Sequence, residues 1–110
     1  MRKTKNPIDM DNTKKVKGII LPKDYVLNGR KYQFKWRRMK DNRGLCSNPD
    51  AEDSKRVIYI NPDFSRNAII KTIIHEVSHA EAWNLDEHCI ETMSGDIFGV
   101  LKECGVISSD

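Results

Sequence analysis

Two histidines and a glutamate lie within one five-residue segment, His75-Glu76-Val77-Ser78-His79, which has the pattern HExxH. On a helix, residues four positions apart share one face, so both imidazoles would project on the same side. Neutral imidazole nitrogens bind zinc well, and this spacing suits two ligands of one tetrahedral ion. The sequence therefore predicts that His75 and His79 bind one zinc ion per chain.

Glu76 follows His75 directly, which is too close in sequence for both side chains to bind the same ion comfortably. Its predicted role is that of general base, because zinc lowers the pKa of a bound water to about 7 and a neighbouring carboxylate can accept the proton. Zinc would also polarise a scissile carbonyl and stabilise the oxyanion that forms from it. This combination predicts a zinc-dependent hydrolase.

A catalytic zinc site has three protein ligands and leaves the fourth position to water, so a further side chain must approach the two histidines. The candidates lie a few residues downstream: Asp86, Glu87, His88 and Glu91. If a second helix returns antiparallel to the first, a rise of about 1.5 Å per residue places Glu91 level with His79 and Glu87 one turn nearer the loop. Glu91 is therefore the predicted third ligand, with Glu87 as the alternative.

The HExxH segment belongs to a stretch with helical periodicity. Asn61-Pro62-Asp63 is typical of a helix N-terminus, so we expect this helix to begin near Pro62 and to end near Trp83. Apolar residues recur along it at three- and four-residue spacing: Phe64, Ile69, Ile70, Ile73, Ile74, Val77 and Ala80.

A second helix is predicted from Asp86, as its N-cap, to Gly105, as the residue that ends it. Within it, Gly95 and Gly99 are interpreted as positions where the two helix axes approach closely. The cysteines Cys89 and Cys104 are interpreted as small core residues. The two helices should form an antiparallel hairpin that carries the site.

Short β-forming segments precede the helices. Asn28-Gly29, the strongest two-residue hairpin signal, separates apolar residues 25–27 from residues 31–36, and residues 56–60 form a further strand. Turn-forming residues at 41–44 and 47–50 predict a long irregular connection between these strands. We expect an α+β fold in which a small antiparallel sheet, the hairpin plus the further strand, packs on the two-helix hairpin. A strand near the site could bind extended peptide through its backbone edge.

The motif and the segment after it together resemble a known family. HExxH followed by Glu91-Thr92-Met93-Ser94-Gly95-Asp96-Ile97-Phe98 is similar to the gluzincin pattern, in which a second helix supplies a glutamate ligand. The resemblance is greatest to compact ImmA/IrrE-like metallopeptidases and to small phage-encoded proteins predicted to be metallopeptidases. In the ImmA/IrrE type the ligand glutamate is followed by a small residue, an apolar pair and a leucine, matched here by Ser94, Ile97-Phe98 and Leu101.

The resemblance covers roughly residues 57–101 and implies a zincin-like hydrolase. It implies zinc bound by His75, His79 and Glu91, with Glu76 as general base and a peptide or protein as substrate. A donor to the transition state has no motif of its own in this sequence, and the candidates are Tyr25, Tyr32, Tyr59 and His88.

The chain of 110 residues suits one domain. Residues 1–17 are rich in lysine and arginine and poor in apolar residues, which predicts a basic, disordered arm before a single zincin-like domain at residues 18–110. Neither a signal peptide nor a transmembrane run is evident, so the expected compartment is the cytoplasm and no membrane partner is expected. Three cysteines without CxxC spacing argue against a disulfide framework, and Cys46 is a weak candidate for a ligand or nucleophile.

Two other classes of function fit parts of the sequence. The first is a regulatory or interaction module that binds metal on this scaffold without catalysis. The second is a nucleic-acid-associated protein with structural zinc, suggested by the net charge of +3, the arm and the basic cluster at residues 35–40. No nucleic-acid motif accompanies these charges, so the expected nucleic-acid contact is weak and non-specific. The sequence predicts no particular oligomeric state.

Overall fold

The computed structural model describes residues 14–108. Within this range four strands precede two helices: β1 Asp24–Leu27, β2 Arg30–Trp36, β3 Gly44–Cys46, β4 Val57–Ile60, α1 Arg66–Glu81 and α2 Glu87–Glu103. A short 3-10 helix, Asp53–Lys55, lies between β3 and β4. The predicted α+β class is confirmed.

The four strands form one mixed sheet in the order β1-β2-β4-β3. β1 pairs with β2 and β3 with β4 in antiparallel fashion, but β2 and β4 run parallel. The predicted antiparallel arrangement is therefore wrong for the central pair. The reason is the long connection after β2, because it lets the chain return to the same end of the sheet before β4 begins.

The predicted hairpin between β1 and β2 is confirmed. Asn28 and Gly29 have φ angles of 51° and 77°, and positive φ at both central residues is what a type I′ turn requires. Leu27 pairs with Arg30 directly across this turn. The turn thus sets the register of the first two strands.

β3 lies within the connection that the sequence predicted to be irregular, and it is an edge strand against β4. It packs closely on α1. A Cβ atom placed on Gly44 would lie 2.8 Å from Cγ2 of Thr72, and 2.9 Å from both Cγ of Glu76 and the carbonyl oxygen of Tyr59. Because real Cβ atoms do not approach other atoms so closely, glycine at position 44 is required for this contact.

The main core lies between α1 and one face of the sheet. Alternate strand residues and one face of α1 are buried there: Leu27, Tyr32, Phe34, Trp36, Ile58, Ile60, Ile69 and Ala80. The indole nitrogen of Trp36 donates a hydrogen bond to the carbonyl of Lys14 at 2.9 Å, and the ammonium of Lys17 donates to the carbonyl of Pro62 at 3.2 Å. Residues 14–17, which were included in the predicted arm, therefore contact the domain, and residues 1–13 of that arm lie outside the described range.

α1 begins four residues later than predicted. Its N-cap is Ser65, whose hydroxyl accepts a hydrogen bond from the backbone nitrogen of Ala68 at 3.2 Å. Asn61 is buried instead, and its amide donates to the carbonyls of Met39 at 2.8 Å and Asn42 at 2.9 Å. Asn61 thus ties the end of β4 to the segment before β3 and does not cap the helix.

α2 has the predicted ends. The carboxylate of Asp86 accepts a hydrogen bond from the backbone nitrogen of Cys89 at 2.8 Å, and Gly105 follows the helix with a φ of 81°. Among the described elements α2 packs on α1 alone, and only Ile90 and Ser94 are buried along its length.

The interpretation of Gly95, Gly99, Cys89 and Cys104 is wrong, because α2 packs on one other element only and buries little of its surface. No atom lies within 4 Å of a Cβ placed on Gly95 or Gly99, so these positions do not serve close helix approach. Cys89 and Cys104 are exposed and are not part of the core.

None of the helices in the described range is long and apolar enough to cross a membrane.

Replacing Gly44 with alanine tests the contact between β3 and α1. We expect Gly44→Ala to lower the free energy of unfolding by about 1–3 kcal/mol, because the added methyl group meets a backbone carbonyl as well as two side chains. The matched control is Gly99→Ala, which adds a methyl group in open space on α2 and should raise stability by up to about 1 kcal/mol. Urea unfolding followed by circular dichroism measures both values, and equal effects at the two positions would contradict the close contact at Gly44.

Candidate metal centre

The two histidines of HExxH lie one turn apart on α1, and their rings meet edge to face with centroids 4.8 Å apart. The Nε2 atoms of His75 and His79 are 3.2 Å from each other. Both side chains are mostly buried. The helix therefore directs the same ring nitrogen of each imidazole toward one point.

Glu87, the first residue of α2, completes this group. Its Oε2 lies 2.9 Å from Nε2 of His75 and its Oε1 lies 3.1 Å from Nε2 of His79. The ligand atoms of the three residues all lie within 4.8 Å of one another, so the group could hold a metal ion. Two imidazole nitrogens and one carboxylate oxygen form a donor set that is typical of catalytic zinc sites.

Glu91, the predicted third ligand, lies beside the other ring nitrogen of His75. Its Oε2 is 3.6 Å from Nδ1 of His75. The hydroxyl of Ser94 is 3.4 Å from the same nitrogen and donates to the carbonyl of Ile90 at 2.7 Å. The structure thus places Glu87, the predicted alternative, in the three-residue group, and Glu91 beside Nδ1 of His75 outside it. The prediction used only the rise per residue, which does not specify the tilt and spacing of the two helices.

Glu76 is buried at the point where β3 meets α1. Burial, with a smaller contribution from the charge of Glu87, raises the pKa of Glu76 to about 7. Both effects disfavour the ionised carboxylate, whereas a cation bound nearby would favour it. The charge of the Glu76 side chain would therefore depend on whether a cation is bound beside it.

These residues line a cleft of about 500 Å³. One wall is residues 42–46, which contain β3, and the other is formed by α1 with the first turns of α2. Arg43, Lys71 and Trp83 also line the cleft, and the sequence reasoning did not identify them. Lys71 and Trp83 had a usable signal, because they extend the four-residue spacing of His75 and His79 in both directions along α1.

None of the four residues considered as transition-state donors is among the described residues that line the cleft. Tyr32 is buried and its hydroxyl donates to the carbonyl of Ser47 at 3.1 Å. The ring of Tyr59 lies beneath the guanidinium of Arg37, 3.9 Å from the ring centroid. Tyr25 and His88 are exposed elsewhere on the surface.

Cys46 lines the cleft but its thiol is poorly suited to nucleophilic chemistry. Burial, followed by the negative charge of Glu76, raises the pKa of Cys46 to about 12. The thiolate, which is the reactive form, is therefore scarce at neutral pH.

Comparisons with protein-family models, with curated proteins and with solved structures give no match for this chain. The geometry of the site is thus the basis for interpreting its function.

Substitution of each glutamate by glutamine tests which of them binds metal. If this group holds zinc, we expect Glu87→Gln to weaken its binding by at least about a hundredfold, because the change removes a charged ligand from the three-residue group. We expect Glu91→Gln to weaken it by about tenfold, because the change removes the charge beside Nδ1 of His75. Competition with a chromophoric chelator measures both dissociation constants. The reverse order of effects would make Glu91 the ligand.

The reactivity of Cys46 can be measured in a chain carrying Cys89→Ser and Cys104→Ser, both of which replace exposed thiols. At pH 8 we expect alkylation of the folded protein to be at least about tenfold slower than that of the urea-unfolded protein, because the raised pKa leaves little thiolate. Mass spectrometry over time measures the rate. Equal rates in the two states would contradict a half-buried, protonated thiol.

Proposed function

We propose that this protein is a zinc-dependent metallopeptidase. The observation that carries the proposal is the convergence of His75, His79 and Glu87 on one point in a cleft that also contains Glu76. Nitrogen and oxygen donors in this number leave room for a further ligand on a tetrahedral ion, as catalytic zinc sites require.

His75, His79 and Glu87 would hold the ion. When bound in such a site, zinc acts as an electrophile toward a carbonyl group and makes water acidic near neutral pH. Glu91 and Ser94 approach Nδ1 of His75, and a hydrogen-bond partner on that nitrogen orients an imidazole ligand. Glu91 is thus proposed as a positioning residue.

Glu76 is proposed as the general base. Its carboxylate is held in the same cleft by α1, one residue from a proposed ligand, and β3 closes over it at Gly44. A carboxylate in this position would accept a proton from the attacking water and return it to the leaving amine. Its burial limits access of bulk water and strengthens its electrostatic interactions with the reacting groups.

An extended peptide is the proposed substrate because the cleft has an open strand edge. β4 lies inside the sheet, and β3 is the edge strand that lines the cleft. The carbonyl of Arg43 accepts from the backbone nitrogen of Asn61 at 2.8 Å, and the nitrogen of Ser47 donates to the carbonyl of Val57 at 3.0 Å. In an antiparallel ladder, every second residue of a strand directs its backbone N–H and C=O toward the neighbouring strand. Because Arg43 and Ser47 bond to β4 in this way, Gly44 and Cys46 direct their backbone N–H and C=O away from β4. A peptide could pair with them as an added strand.

The Glu76→Gln variant tests the proposed mechanism. Because glutamine keeps the shape of the side chain but cannot accept the proton, we expect normal zinc content and a loss of peptidase activity of about 10²–10⁴-fold. Activity is measured by mass spectrometry on a mixture of peptides, and zinc by elemental analysis. Full activity in this variant would sink the mechanism, and a zinc-loaded wild type that cleaves no peptide would favour a non-catalytic metal-binding module.

A further inference from the structure

Two basic side chains, those of Arg43 and Lys71, line the cleft in addition to the histidines and glutamates. Lys71 lies one turn of α1 before His75, and Arg43 lies directly before β3 on the opposite wall. Both therefore belong to the part of the cleft near the N-terminal end of α1, while Trp83 lines it beyond the other end of this helix.

Neither cation has an anionic partner in the part of the chain that the structure describes. The guanidinium of Arg43 lies over the ring of Phe64, 5.2 Å from its centroid. The Phe64 ring carries no oxygen or nitrogen acceptor, so the N–H donors of the guanidinium remain for a ligand. Lys71 is half-buried and lines the cleft.

The direction of β3 relative to α1 orients a bound peptide. Arg43 contacts Phe64, which precedes α1, and Gly44 contacts Thr72 in its first half. Residues 48–50, after β3, line a second cavity with residues 80–85 at the end of α1. β3 therefore runs in the same general direction as α1, and a peptide added antiparallel to β3 would run the opposite way.

We propose that Arg43 and Lys71 form a carboxylate-binding subsite for the part of the substrate that follows the scissile bond. The inference rests on the proposed function, and it names the chemistry of the preferred substrate. An antiparallel strand, the more stable pairing, brings its C-terminal portion to these two cations. Arginine binds a carboxylate through two parallel hydrogen bonds, and lysine adds a point charge. The carboxylate has two sources, a free chain terminus or an aspartate or glutamate side chain.

The test compares peptides of one sequence that differ only in negative charge after the cleaved bond. One has a free C-terminal carboxylate, a second has a C-terminal amide, and a third has the amide with a glutamate two residues after the bond. We expect the wild type to cleave at least one of the two charged peptides with a kcat/KM at least about tenfold higher than that of the neutral peptide. Preference for the first identifies the terminus as the source, and preference for the third identifies the side chain.

The double variant Arg43→Gln/Lys71→Gln should lose this preference mainly through a higher KM for the charged peptide, so that its kcat/KM falls to that of the neutral peptide. Lys35→Gln is the control, because Lys35 is exposed on β2, outside the residues that line the cleft, and its loss should preserve the preference. Arg43→Lys, which retains the charge, should keep part of it. Unchanged zinc content and unfolding midpoint in each variant exclude misfolding as the cause.

Binding gives a readout that does not depend on turnover. Fluorescein-labelled versions of the three peptides are titrated with zinc-loaded Glu76→Gln protein, with and without the two cleft substitutions, and followed by anisotropy. The subsite is supported if a charged peptide binds more tightly than the neutral one and this difference requires Arg43 and Lys71. If the wild type cleaves no peptide in that case, the proposed function alone fails. Three results would overturn the subsite: cleavage without charge preference, a preference that survives the double variant, or equal binding of all three peptides. If the wild type cleaves a peptide, the proposed function stands in each of these cases.

Discussion

The approach of Gly44 to α1 is the contact on which the rest of the site depends. With no side chain at this position, the backbone of β3 reaches Thr72 and Glu76 directly. The same three-residue strand pairs with β4 on its other side, so this contact joins the sheet edge to the helix that carries both histidines. A larger residue would push the strand outward, and the cleft would lose the wall that faces Glu76.

The second helix is held differently from the first. α1 is covered by the sheet, whereas α2 packs on α1 alone and buries only Ile90 and Ser94. The contacts of Glu87 and Glu91 with His75 add polar links between the two helices. A ligand bound by His75, His79 and Glu87 would connect both helices and would therefore stabilise the docked position of α2 by mass action.

Charge is distributed unevenly along the cleft. Glu76, Glu87 and Glu91 surround the histidines, while Arg43 and Lys71 lie toward one end. Burial, and after it repulsion from the charge of Glu87, raises the pKa of Glu76 to about 7. A divalent cation bound by the histidines and Glu87 would offset this repulsion, and the positive charges of Arg43 and Lys71 would remain at one end of the cleft. The charges of the cleft are thus consistent with the two proposals, a metal ion at the centre and a carboxylate beside it.

Local sequence alone determined the features that depend on neighbouring residues: the Asn28-Gly29 turn, the Asp86 N-cap and the placement of His75 and His79 on one helix face. These follow from backbone geometry over a few residues. Only the tertiary structure decided that β2 and β4 run parallel, that residues 44–46 form an edge strand, and that Glu87 and not Glu91 meets both histidines. Each of these depends on long-range pairing or on the tilt of one element against another, which sequence spacing does not specify.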